Sequence, residues 1–178
     1  MRNLSLTLPS SGLWLVSGES GSGKSSLLLL LAGALKPAAG RLLIHGEDTT
    51  RFSGRRRRKL FNSFGYLSQD EDCWQLFAHS EELDEAVWQQ AAGRFDLNKR
   101  KGELASFDRW ERLALALSQR YLSSSQLLLL DDPLAGLSGS ESERLLAWLE
   151  SVSGERLVLL ADPGRGVLEK LATGIIRL

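Results

Sequence analysis

The chain has 178 residues, 43% of them hydrophobic and 25% charged, and its 22 lysines and arginines balance 22 aspartates and glutamates. That size and balance describe one domain, 1–178, able to bury a core, and they exclude an overall field that would gather nucleic acid or an anionic membrane. A single cysteine, Cys73, excludes an internal disulfide and a thiolate metal cluster and fits a reducing compartment.

Leu4-Ser5-Leu6-Thr7-Leu8 alternates apolar with polar as a half-exposed strand does, whereas Leu13-Trp14-Leu15-Val16 is the continuous apolar run of a buried strand. Leu27 to Leu35 predicts a helix apolar on all sides, stopped by Pro37 and Gly40. Its apolar run is far shorter than the roughly 20 residues of a membrane span, and Met1 to Leu4 opens no secretory signal, so a cytoplasmic location is the expectation. Arg41 to Ile44 and Phe64 to Leu67 read as strands. Between them, Arg55-Arg56-Arg57-Arg58-Lys59 reads as a solvated loop or helix end, with phosphate or lipid headgroups as the alternative contact. Glu81 to Phe95 and Trp110 to Leu122 have helical spacing, and Leu127 to Leu130 is a buried strand. A helix over Glu141 to Leu149, a strand over Arg156 to Leu160, a helix over Val167 to Leu171 and a strand over Gly174 to Leu178 follow. Alternating strands and helices predict an α/β fold with a mostly parallel sheet flanked by helices. The core spans about 1–69 and 111–178, and the helical stretch over about 70–110 reads as an insertion.

Gly18-Glu19-Ser20-Gly21-Ser22-Gly23-Lys24-Ser25, followed by Ser26, joins the first buried strand to the first helix. Glycines let the backbone curl with its N–H groups turned inward, and a helix N-terminus adds positive potential, so this spacing predicts a polyphosphate cradle, a P-loop for a nucleoside triphosphate. Lys24 would reach the β and γ phosphates, and Ser25 would offer its hydroxyl to Mg²⁺. Asp131-Asp132-Pro133 closes the Leu127 to Leu130 strand, where open α/β sheets bind their ligands. Asp131 is the expected magnesium ligand and Asp132 the expected catalytic carboxylate that polarises water.

Further along, Phe64-Gly65-Tyr66-Leu67-Ser68-Gln69-Asp70 looks like a Q-loop, Gly40 to Gly46 is similar to a small antiparallel segment, and Trp74-Gln75-Leu76-Phe77-Ala78 follows it. Glu111-Arg112-Leu113-Ala114-Leu115-Ala116-Leu117 is similar to a helix that follows an L-S-G-G-Q motif. With the glycine loop and the acidic pair, these segments make nearly the whole chain resemble the ATP-binding cassette, the nucleotide-binding domain of ABC transporters. The resemblance implies a P-loop NTPase core with a small antiparallel segment and a helical insertion. It gives Gln69 a role at magnesium and the attacking water. It also implies separate transmembrane permease subunits and a homodimer or heterodimer with another ATP-binding subunit; no nucleic acid is expected.

The same likeness shows departures. The signature motif falls on Ala105 to Arg109, where Ser106 matches but Phe107 and Asp108 would bring bulk and negative charge toward a phosphate. Asp132 stands for a glutamate one methylene longer, Ala161-Asp162 for a switch histidine, and Ser138 for the aspartate closing the D-loop. The histidines, His45 and His79, lie elsewhere, and the aromatic that stacks on adenine is missing. The expected function is thus the ATP-binding subunit of an ABC-type transport system, with Mg·ATP hydrolysis slow or partner-dependent. The alternatives are a regulatory or assembly module that hardly turns ATP over and a small kinase. Among the five tryptophans, Trp74 and Trp88 are the candidates for a docking surface toward a membrane partner.

Overall fold

The computed structural model describes residues 4–70, 84–97, 106–123, 127–163 and 166–178. Cys73, the segment Trp74 to Ala78, His79, Ala105 and the expected helix start at Glu81 lie outside the described residues.

In chain order the elements are strand β1 (Gly12–Ser17), helix α1 (Lys24–Leu31), strands β2 (Leu43–Ile44) and β3 (Glu47–Asp48), helix α2 (Gly54–Ser63), strand β4 (Gly65–Leu67), helices α3 (Glu85–Phe95) and α4 (Arg109–Ser123), strand β5 (Leu127–Asp131), helix α5 (Gly139–Ser153), strand β6 (Leu157–Asp162), helix α6 (Gly166–Leu171) and strand β7 (Gly174–Arg177). Five strands form one parallel sheet in the order β4-β5-β6-β1-β7. Apolar residues on both sides of each central strand require cover on both faces. Val16, Leu129, Leu159 and Ala161 meet Leu27, Leu28 and Ala32 around α1. Leu15, Leu128, Leu130 and Leu160 meet Leu113, Leu117, Leu145, Leu149 and Leu168 on α4, α5 and α6. The result is a three-layer α/β stack.

Phe95, fully buried at the end of α3, joins that second layer. Its ring meets Trp110 edge-on at 5.5 Å and Trp148 at 5.5 Å in a tilted arrangement. Two helix starts are fastened by reciprocal side-chain caps. Ser138 and Glu141 exchange backbone bonds at α5, and Asp108 and Glu111 do the same at α4, with bonds of 2.9 and 2.8 Å.

Three local expectations change. Leu4 to Leu8 is not a strand: alternation supplies a face but no ladder partner, and Leu4 and Leu6 stay exposed. The first helix stops at Leu31, well before Pro37, because Gly33 adopts φ 76° and its N–H bonds Leu30 while that of Ala34 bonds Leu29. This left-handed glycine cap satisfies the last carbonyls of α1. The strand expected over Arg41 to Ile44 shortens to Leu43–Ile44, paired with β3 through His45 and Gly46 at φ 51° and 80°. Positive φ at both central positions is the twist-matched two-residue hairpin turn. The basic run, expected in a loop or at a helix end, forms the N-terminal half of helix α2.

Candidate functional site

Parallel strands bring their C-terminal ends to one edge of the sheet. Ser17 sits in register with Asp162 on one side and Arg177 on the other, and Asp131 sits in register with Ala161. The phosphate loop leaves β1 at this edge. Gly21 and Gly23 take φ 79° and 104°, a region costly for residues with a Cβ. A Cβ on Gly18 would lie 2.6 Å from the Ser22 hydroxyl and 2.8 Å from the Leu178 carbonyl, so only glycine fits that close passage.

Lys24 opens α1 and folds its ammonium back over the loop, donating to the carbonyls of Gly18 at 2.7 Å and Glu19 at 2.9 Å. Ser22 N–H closes a turn on Glu19, and Leu27 N–H returns to Gly23. The amides of Gly21, Gly23, Lys24 and Ser25 bond to no acceptor among the described residues. An open cleft of about 490 Å³ lies against Ser17 through Ser22, Arg177 and Leu178. Loop amides without an acceptor among the described residues, an ammonium and a cleft of this kind fit a polyphosphate.

Side-chain alternation along β5 decides what Asp131 faces. Leu129 packs toward α1, so Asp131, two residues on, emerges on the same side. Asp131 is 5% exposed, and burial pushes its carboxyl above the ordinary range, with the neighbouring Ser25 hydroxyl and the Lys24 charge opposing that shift. A hydroxyl beside a carboxylate is an oxygen donor set that suits Mg²⁺.

A carboxyl whose folded pKa is raised binds its proton more tightly when folded. Its contribution to stability is therefore present at low pH and is lost as pH rises through the raised value. Asp131→Asn, which never carries that charge, is expected to melt higher than the parent at neutral pH in the absence of ligand. The gap should close as pH falls toward the ordinary aspartate value of about 3.9. Thermal melts across that range, without magnesium, check it.

Asp132 follows at φ 46°, the left-handed region that aspartate tolerates better than most residues. Its N–H donates to Ala161 at 2.8 Å and its carbonyl accepts from Ala135 at 3.2 Å, so the turn is anchored to β6. Two residues beyond the pair Leu67 and Leu130, the exposed Gln69 leaves β4 beside Asp132. The structure thus gathers Gly18 through Ser26, Gln69, Asp131 and Asp132 at one sheet edge. Asp162 also ends a strand there, but it alternates with Ala161 and faces the opposite side from Asp131, fully buried.

Ser106 stands apart, exposed at the entry to α4. Phe107 does not project as bulk toward a ligand: it is 3% exposed, packed among Val87, Ala91 and Leu115, with its ring 6.0 Å from Trp88. Asp108 is engaged in capping α4 through the bond it accepts from Glu111. Trp88, a docking candidate by sequence, is half-buried against Phe107. Sequence reading missed Arg177, a cation beside the cleft that also approaches Glu169 at 3.8 Å. Only the pairing of β7 with β1 reveals its position.

Comparisons with known proteins give the chain's family and fold. The family model described as ABC transporter matches residues 1–135. The chain is 33% identical over 175 residues to the molybdenum import ATP-binding protein ModC of Thiobacillus denitrificans, covering 86% of this chain and 45% of that protein. It is 32% identical over 157 residues to the thiamine import ATP-binding protein ThiQ of Salmonella choleraesuis, covering 82% of this chain and 66% of that one. The chain thus spans about half the length of the ModC relatives it matches. A dimeric ATP-binding cassette in a post-hydrolysis state bound to ADP and Pi superposes with a TM-score of 0.81 at 15% identity, over 97% of this chain and 83% of that one. The fold is that of a P-loop NTPase cassette, and with its glycine loop, acidic strand end and matching family model, the chain belongs to the ABC transporter family.

Proposed function

We propose that this chain is the ATP-binding subunit of an ABC-type import system, binding Mg·ATP at Gly18 through Ser26 and hydrolysing it slowly to drive a substrate through separate membrane subunits. The whole chain acts as one nucleotide-binding domain, working as a dimer of cassettes at the inner face of the membrane. No helix among the described residues is long and apolar enough to cross a membrane. The observation that carries the reading is the convergence of the Lys24 ammonium, the open loop amides and the Ser25–Asp131 pair at one sheet edge.

In this reading Lys24 exchanges the carbonyls of Gly18 and Glu19 for phosphate oxygens. Ser25 and Asp131 would hold Mg²⁺, with Gln69 as a further candidate ligand. When bound, the ion neutralises charge on the β and γ phosphates. Asp132 takes a proton from water as its oxygen attacks the γ phosphorus, and the bond to the β-phosphate oxygen breaks to release ADP. The backbone bonds of Asp132 to β6 and to Ala135 hold that carboxylate in place.

Steady-state phosphate release tests the assignment. Asp132→Asn keeps the shape and removes the base, so turnover is expected to fall on the order of a hundredfold, while Asp132→Glu raises it above the parent. The capping of α4 by Asp108 and Glu111 favours a second reading, a nucleotide-binding switch with little turnover, because it commits the amides that would otherwise face a phosphate. Equal, negligible rates in all three proteins would support the switch.

A further inference from the structure

Arg177 ends β7 beside the root of the phosphate loop, and the backbone fixes it there. It sits in register with Ser17, the last residue before the loop. The N–H of Leu178 then donates to the Ser17 carbonyl at 2.9 Å, and the Leu178 carbonyl closes on Gly18, where a Cβ would meet it at 2.8 Å. The main chain at Arg177 is thus tied to the loop by packing that does not involve its side chain.

The side chain itself is lightly held. Ile176 packs toward α1, so alternation turns Arg177 to the other face of the sheet, where Glu169 of α6 approaches it at 3.8 Å. The two side chains are 71% and 41% exposed, and a long pair between such groups contributes less than about 1 kcal/mol. Standing at the end of its strand, Arg177 also lines the cleft, and it carries the only positive side chain among the described residues against that cleft.

A triphosphate held there needs more positive charge than the loop supplies. Lys24 is the one cation of Gly18 through Ser25, and Glu19 is an anion in the same stretch. Asp131 and Asp132 add carboxylates at the neighbouring strand end, so a magnesium ion among them neutralises only part of the phosphate charge. A guanidinium presents parallel donors that match phosphate oxygens, a stronger partner than the long, exposed contact to Glu169.

We infer that Arg177 is a second cation of the nucleotide site, leaving Glu169 to pair with the phosphates of the bound nucleotide. The inference rests on the assignment of Gly18 through Ser26 to Mg·ATP. Titration calorimetry of the whole chain with Mg·ATP and with inorganic triphosphate plus magnesium tests it. Arg177→Gln should weaken both ligands about tenfold, and Arg177→Lys, which keeps the charge but not the fork, about threefold. Glu169→Gln removes the competing carboxylate and should tighten both about threefold. That gain should vanish in the Arg177→Gln background. If the pair served only to brace β7 on α6, Arg177→Gln and Glu169→Gln would both weaken binding, and that result would overturn the inference. Circular dichroism establishes that each variant is folded. Unchanged affinity in Arg177→Gln, with Lys24→Ala still weakened, would overturn this inference and leave the phosphate loop standing. A loss for Mg·ATP without a loss for triphosphate would put Arg177 at the nucleoside and overturn it too. No difference between the parent and Lys24→Ala would remove the loop assignment, and the inference with it.

Discussion

Lys24→Ala is expected to weaken Mg·ATP binding on the order of a hundredfold while leaving the fold intact. In the ligand-free protein the ammonium is held by two loop carbonyls, at 2.7 and 2.9 Å, close to the surface. Replacing those bonds with water costs only about 1 kcal/mol, because an exposed carbonyl is readily solvated. Bound triphosphate offers no such substitute: the lost charge-assisted bond and the uncompensated phosphate charge together account for about 3 kcal/mol. Titration calorimetry with Mg·ATP measures the affinity, and a thermal melt shows that folding survives. An unchanged dissociation constant would remove the loop from the function altogether.

The largest stability effect is expected at Phe95. Its side chain is fully enclosed between Trp110 of α4 and Trp148 of α5, and Tyr121 closes on Trp148 from the far side at 6.0 Å. Phe95→Ala deletes a ring from a packed aromatic cluster, at a cost of about 3–5 kcal/mol, and the melting temperature should drop by roughly 10 °C. Neighbouring surface contacts cannot compensate. Arg144 reaches Asp96 at 3.5 Å with both side chains well exposed, so Arg144→Ala should cost less than about 1 kcal/mol. Mg·ATP affinity of folded Phe95→Ala should stay near the parent value, because the cluster lies on the sheet face away from α1. A loss of only a degree or two would mean that α3 is not seated on the core through this ring.

The sequence announced most of this architecture through its apolar runs. Leu127 to Leu130 and Leu157 to Leu160 are strands because a run apolar on both sides can be satisfied only inside a sheet covered twice. The glycine loop was legible because its chemistry is local: the turn, the amides and the lysine are supplied within eight consecutive residues. What depended on partners was not legible. Leu4 to Leu8 has a strand's alternation and no strand to pair with. Phe107 looked like an obstruction to a ligand because the sequence does not tell whether an aromatic turns inward, and only the packing of α3 on α4 decides it. Arg177 could not be placed without knowing which strand its own strand joins. A rule about strand ends singled out Asp131, but that it faces α1 and the Ser25 hydroxyl follows from side-chain alternation along β5.

Ala161 gives that alternation a mechanical meaning. It stands in the row Val16, Ala161, Asp131, directly under α1, with no exposed surface. A larger side chain there would lift the helix that carries Lys24 and Ser25 away from the strand that carries Asp131. One buried methyl group acts as the shim that sets how far the helix carrying Lys24 stands from the strand carrying Asp131.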